Sequence, residues 1–167
     1  MLFRSDMLPL FKSQQLDAAW VPEPWVARLL KDAGATLVID ERTLWEKGRF
    51  TTTVLVARKE YLEKNRAQVE AFLTAHVRVV NWIEKNPTEA KKIVNGEIKR
   101  LTTKPLNDKV LDEAWGRMSF TTDPQIASMM KQAQMALDAG YLKSVPDQKA
   151  LWKEDMLRAA ERKATAP

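Results

Sequence analysis

The stretch Asp17-Ala18-Ala19-Trp20-Val21-Pro22-Glu23-Pro24-Trp25 decides how the fold is read. Residues 17–21 are a compact apolar run suited to a buried strand, and Pro22 ends it because proline has no N–H to give a ladder. Pro24 suits the first turn of a helix, where that missing donor costs nothing. Trp25, Val26, Leu29 and Leu30 then keep helical spacing as far as Gly34, a good C-terminal stop. Residues 35–39, ATLVI, read as a second buried strand. Strand, helix and strand in that order form a βαβ unit with parallel pairing and a right-handed crossover, so the expected class is α/β.

Before this unit, Ser5 and Asp6 can cap a short helix through about Gln14. After it, residues 40–50 are polar with Gly48 near the end and read as a loop. Residues 51–57, TTTVLVA, are the most β-branched run of the chain and read as a third strand. The period then changes. Val69, Phe72, Leu73, His76, Val77, Val80 and Ile83 share one face of a long helix that ends near Asn86-Pro87. Further helices are expected over residues 88–99, 107–117, 124–139 and 148–163. Three short strands are a poor sheet for so many helices, which suggests that part of the sheet is supplied from elsewhere.

A chain of 167 residues, 45% hydrophobic and 29% charged, has enough apolar material for a core. The absence of cysteine removes disulfides, zinc–thiolate sites, iron–sulfur clusters and a cysteine nucleophile. Arg4, Ser5 and Asp6 interrupt the apolar N-terminus, so no export signal is visible, and no run approaches the ~20 apolar residues of a membrane span. The net charge of +5 is interleaved along the chain, and pairs such as Lys91-Lys92 and Lys99-Arg100 read as solvated helix faces rather than a nucleic-acid footprint. A mild positive balance favours an anionic small ligand.

Catalytic chemistry finds little support. The single histidine, His76, lies on the apolar face of the long helix and reads as a packed or boundary residue, with no serine or acid placed beside it. There is no HExxH or DxDxDG spacing for a metal and no glycine-rich phosphate loop, so neither metal, cofactor nor nucleotide is expected. Paired carboxylates such as Glu60/Glu63, Asp112/Glu113 and Glu154/Asp155 have basic neighbours at helical spacing and read as surface charges. Met129, Met130 and Met135 read as packing surface.

The turn at residues 20–25 combines position with chemistry. Ligands of open α/β sheets settle at the carboxyl ends of strands, and residues 21–23 occupy that edge. Trp20 and Trp25 can form an apolar wall, the following helix N-terminus favours an anion, and Glu23 can accept a hydrogen bond or pair with an amine. The alternative reading is equally open: both tryptophans are core and Glu23 merely caps the helix.

Three stretches carry a resemblance: MLPLFKSQQLDAAWVPEPWVARLLKDAGATLVID from Met7, GRFTTTVLVARKEYLEKNRAQVEAFLTAHVRVVNWIEKNPTEA from Gly48, and FTTDPQIASMMKQAQMALDAGYL from Phe120. In their order they resemble the substrate-binding proteins of ABC importers for nitrate, aliphatic sulfonates and taurine, the NMT1-like group. Gln15 stands where that group usually has glycine before Leu16-Asp17. The resemblance implies the C-terminal portion of a two-lobe periplasmic-binding-protein-like fold. Residues 1–50 would be a remnant of lobe two at the cleft edge, and residues 51–167 the crossover strand and the C-terminal helices of lobe one. Trp20, Val21, Glu23, Pro24 and Trp25 would border the cleft, with Thr51 and Thr52 offering hydroxyls to an anionic head group or simply stabilising a strand.

The resemblance implies that roughly the first half of such a receptor is missing here, and one wall of a cleft does not name a ligand. The expected function is solute binding for an ABC importer, without enzymatic activity, by a truncated or partial chain. Its ligand would be a small anion or zwitterion such as a sulfonate, taurine or nitrate. Alternatives are an interaction protein that pairs with another chain, a second copy or the missing half, and a fragment of a thiamine-precursor-synthase-like NMT1 enzyme. The expected partners are the ligand and a permease, with no nucleic acid and no membrane insertion. Relatives of this kind are extracytoplasmic; a chain starting at Met1 without a leader would stay in the cytoplasm.

Overall fold

A computed structural model describes residues 4–165 of the chain. The elements in order are α1 (Arg4–Lys12), α2 (Trp25–Asp32), two 3-10 turns (Glu41–Leu44 and Glu46–Gly48), α3 (Lys59–Lys64), α4 (Arg66–Lys85), α5 (Pro87–Thr102), α6 (Asp108–Arg117), α7 (Ile126–Asp138), α8 (Gln148–Leu151) and α9 (Glu154–Thr165). The helices fall into two compact units. One joins the segment up to Asp40 to Asn86–Ser119, and the other joins Glu41–Lys85 to the segment from Phe120 onward.

The described residues contain no strand, which corrects the expected α/β class and the two-lobe architecture that the resemblance implied. Residues 17–21, 35–39 and 51–57 are irregular. The reason is that β propensity describes a fit to a pleated, half-buried surface, and a strand exists only where a neighbour takes its backbone groups. Here no neighbour does. The Ala35 N–H returns to the Leu29 carbonyl of the preceding helix, and the backbone of Thr51 is taken by side chains of α7. Val38, in a run expected as a buried strand, is 88% exposed, and Val56, in the expected third strand, is 81% exposed.

The helical expectations fare better because their signals are local. Gly34 adopts a left-handed conformation, φ 65°, where the chain leaves α2, as a C-terminal stop should. Pro87 opens α5 in the position where its missing donor is harmless. The Asn107 side chain accepts from the Lys109 N–H and caps α6. The cap assigned to Ser5 rests on a side chain outside the described ones. Met129 and Met130 are half-buried and Met135 is exposed.

In the first unit α2 packs on α6 around Ala27, Val110 and Ala114, with Leu106 against them. Small residues at the seam let the two backbones approach. Asn95 of α5 clamps the loop that leads to α6. Its side-chain oxygen accepts from the Leu106 N–H at 2.7 Å and its amide donates to the Leu106 carbonyl at 3.0 Å.

In the second unit α4 packs on α9. Val77, Leu157 and Ala160 form the buried seam, with Leu73, Trp152 and Ala164 packed against it. Charged pairs flank it: Arg66 reaches Asp155 at 3.1 Å and Lys163 reaches Glu70 at 3.1 Å. Eleven apolar side chains are buried among the described residues, whereas twenty large ones are exposed, so much apolar surface is left uncovered.

Candidate functional site

Each candidate residue sits within one unit. In the first unit the chain turns at residues 22–25, where the Trp25 N–H bonds to the Pro22 carbonyl at 3.0 Å and the Glu23–Pro24 peptide is cis. The turn drops Glu23 under the start of α2. One carboxylate oxygen accepts from the Ala27 N–H at 3.1 Å, and the other accepts from Arg117 at 3.1 Å. The Glu23 side chain is 7% exposed and that of Arg117 18%. Both oxygens of Glu23 are therefore held from within the unit, and its negative charge complements the helix N-terminus.

Arg117 also pairs with Glu113, which in turn meets Lys31 at 3.1 Å. The Lys31 ammonium first, and the Arg117 guanidinium after it, hold the Glu113 carboxyl below its ordinary range. Lys31, Glu113, Arg117 and Glu23 thus form one alternating chain of charges between α2 and α6. Pro24 and Trp25 are half-buried, and Arg28 lies over the Trp25 ring, 4.8 Å from its centroid. Val21 is half-buried. Trp20 stands 70% exposed and is the member of this group most open to a ligand.

In the second unit Thr51 is tied down on three sides. Its N–H donates to Ser128 Oγ at 3.0 Å, its hydroxyl donates to the Pro124 carbonyl at 2.8 Å, and its carbonyl accepts from Gln132 Nε2 at 3.0 Å. Its hydroxyl proton is already placed. Thr52, the next residue, lies at a bend and is exposed. The two threonines therefore part company: the first anchors the chain to α7 and the second faces outward.

Several contributors were not singled out from sequence. Arg117 stands in the last turn of α6, 94 residues from Glu23, and no local pattern joins them. Ser128 and Gln132 are ordinary polar residues four apart on α7, and only the structure shows that they hold Thr51. The segment read as a plain polar loop carries an aromatic cluster, with Trp45 stacked on Phe50 at 5.7 Å and Lys131 over the Trp45 ring at 4.8 Å. The Trp45 indole donates to Glu41 Oε1 at 2.6 Å, and Glu41 Oε2 is buried without a hydrogen bond among the described residues. Two aromatics in a short polar loop were the available signal.

An open groove of about 450 Å³ runs beside α4, lined by Ala67, Ala71, Ala75 and Thr74 with Glu70, Arg78 and Lys163 at its edges. It contains none of the candidate ligand residues. Its charged groups are occupied by one another: Lys163 and then Arg66 hold the Glu70 carboxyl below its ordinary range, and Arg78 donates to the Lys163 carbonyl. His76 is exposed on α4 rather than packed. Among the described residues no group of His, Asp and Glu is placed to hold a metal ion, and no helix is long and apolar enough to cross a membrane.

Comparison with known proteins gives one positive finding. A family model described as the NMT1-like family matches residues 3–96, more than half of the chain, and the match contains the turn at residues 20–25 together with Thr51 and Thr52. Neither a curated protein nor a solved structure matches the chain. On the extent of that match, the chain belongs to the NMT1-like family.

Proposed function

We propose that the chain acts by binding rather than by catalysis, as a solute-binding component of an ABC importer. Its ligand is a small anion or zwitterion of the sulfonate, taurine or nitrate kind. The observation that carries this reading is the family match over residues 3–96, which spans every candidate ligand residue. Within the first unit, Trp20 supplies an exposed indole that can cover the apolar part of a ligand. Glu23, with both oxygens held by Arg117 and Ala27, positions the turn that presents that indole. Within the second unit, and independently of that indole, Thr52 has an exposed hydroxyl, while Thr51 fixes its neighbour by bonding to α7. The net charge of +5 favours the approach of anions. In the import reading, the loaded protein delivers its ligand to a membrane permease.

The direct test is isothermal titration calorimetry of the whole chain with nitrate, taurine, short alkyl sulfonates and bicarbonate. Saturable heat with at least one of these, reduced by Trp20→Ala, is the expected result. Absence of binding to all of them at millimolar concentration overturns the reading.

A further inference from the structure

Asn95 is the one asparagine of the chain that a glycine follows; Asn65, Asn81, Asn86 and Asn107 precede Arg, Trp, Pro and Asp. An Asn-Gly pair carries a chemistry of its own, because the backbone nitrogen of the second residue can attack the side-chain amide carbon of the first. Glycine, with no Cβ, neither shields that nitrogen nor restricts the backbone that must bring it round. Two features of the fold oppose the attack. The pair lies inside α5, where a helix directs the Gly96 N–H along its axis and away from the side chain before it. The Asn95 side chain is also held at both of its polar atoms by one residue, its oxygen accepting from the Leu106 N–H at 2.7 Å and its amide donating to the Leu106 carbonyl at 3.0 Å. Leu106 in turn packs against Ala27, Val110 and Ala114, so the Asn95 amide joins α5 to the loop that enters the α2–α6 seam.

We propose that Asn95-Gly96 is a self-modification site of the first unit, kept closed by the Leu106 clamp and released whenever α5 and that loop part. In the opened chain the Gly96 nitrogen gives up its proton and bonds to Asn95 Cγ, and the amide nitrogen leaves as ammonia with that proton. Water then opens the resulting five-membered imide at either carbonyl, to an aspartate or to an isoaspartate. Neither product remakes the clamp. A carboxylate at position 95 has no N–H to give the Leu106 carbonyl and sets a negative oxygen against it, and an isoaspartate adds a backbone carbon in the middle of α5. The modification is therefore a one-way release of the loop from α5. The proposal does not depend on the ligand reading.

Peptide mapping of the whole chain by mass spectrometry, after incubation in mildly alkaline buffer with and without denaturing urea, tests it. Trypsin releases residues 93–99, and exchange of –NH2 for –OH in that peptide is the signal. Conversion should be about tenfold or more slower in the folded chain than in urea, and Leu106→Ala, which loosens the loop from its seam, should speed it in the folded chain alone. Gly96→Ala should suppress it in urea, and the helical circular dichroism should stay intact, since position 96 is exposed and a side-chain carbon there would meet no atom within 4 Å. Asn95→Asp should lower the urea midpoint of the otherwise unmodified chain. Equal rates in the folded and the denatured chain overturn the clamp, as does a Leu106→Ala chain that folds and converts no faster. No conversion in urea overturns the site, and an Asn95→Asp chain as stable as the parent overturns the release of the loop.

Discussion

Glu23 and Arg117 stand 94 residues apart in the chain and 3.1 Å apart in space, with both side chains largely out of water. A buried charge depends on its partner: removing Arg117 leaves the Glu23 carboxylate with only the Ala27 N–H, whereas removing Glu23 still leaves Arg117 paired with Glu113. Arg117→Met should lower the stability of the first unit by about 3 kcal/mol, measured by urea unfolding followed at the tryptophans. Glu23→Gln should act in the same direction, and the double variant should lose clearly less than the sum of the two. Strict additivity would show that the two residues do not depend on each other.

Thr51 and Thr52 were grouped from sequence, yet their surroundings predict different behaviour. Thr51→Val deletes the hydroxyl that donates to the Pro124 carbonyl and should cost about 1 kcal/mol of stability. Ser128→Ala removes the acceptor of the Thr51 N–H at a buried site and should cost a similar amount. Thr52→Val is exposed and should change stability by less than about 0.5 kcal/mol. Thermal unfolding of the three variants separates them, and equal effects at positions 51 and 52 would contradict the geometry.

These cases show where the sequence was legible. Helix limits rest on neighbours a few residues away, so Gly34 marks the end of α2 and Asn86-Pro87 the end of α4 in the sequence itself. The strands rest on partners that local pattern cannot supply, and residues 35–39 and 53–57 keep the composition of strands without their bonds. The turn at residues 22–25 was placed correctly before a helix, and the plainer of its two readings, Glu23 as a cap, describes its contacts. What it could not contain was Arg117, because a bond across 94 residues leaves no period or spacing in either segment.

The acid limb of stability should involve two glutamates. Glu113, beside Lys31 and Arg117, and Glu70, beside Lys163 and Arg66, both titrate below the ordinary glutamate range. A carboxyl depressed by folding adds stability above its unfolded pKa, and that stability is lost as pH falls through the depressed folded value. Both contributions are therefore full near neutrality and vanish in acid below the ordinary glutamate value. Lys31→Met should move the Glu113 titration upward and leave that of Glu70 in place, because Glu70 is held by Lys163 and Arg66 and not by Lys31. Carboxyl-detected NMR titration reads both, and a Glu113 midpoint unchanged in the variant would sink the assignment to Lys31.

The α4 helix offers a test of which face carries the packing. Its apolar pattern gathers Phe72, Leu73, His76, Val77 and Val80 together, but the structure divides them: Val77 and Val80 are buried, Leu73 packs against the α9 seam, and Phe72 is 57% exposed. A stripe wider than one partner helix can cover leaves its edge in water. Leu157→Ala, on the α9 side of the seam, should cost about 2 to 3 kcal/mol, since it removes buried methyl groups and leaves a cavity. Phe72→Ala deletes a larger side chain yet should cost under about 1 kcal/mol, because most of that ring already faces solvent. Urea unfolding of the two variants decides it. A larger loss at Phe72 than at Leu157 would place the packing face where the sequence pattern alone had centred it.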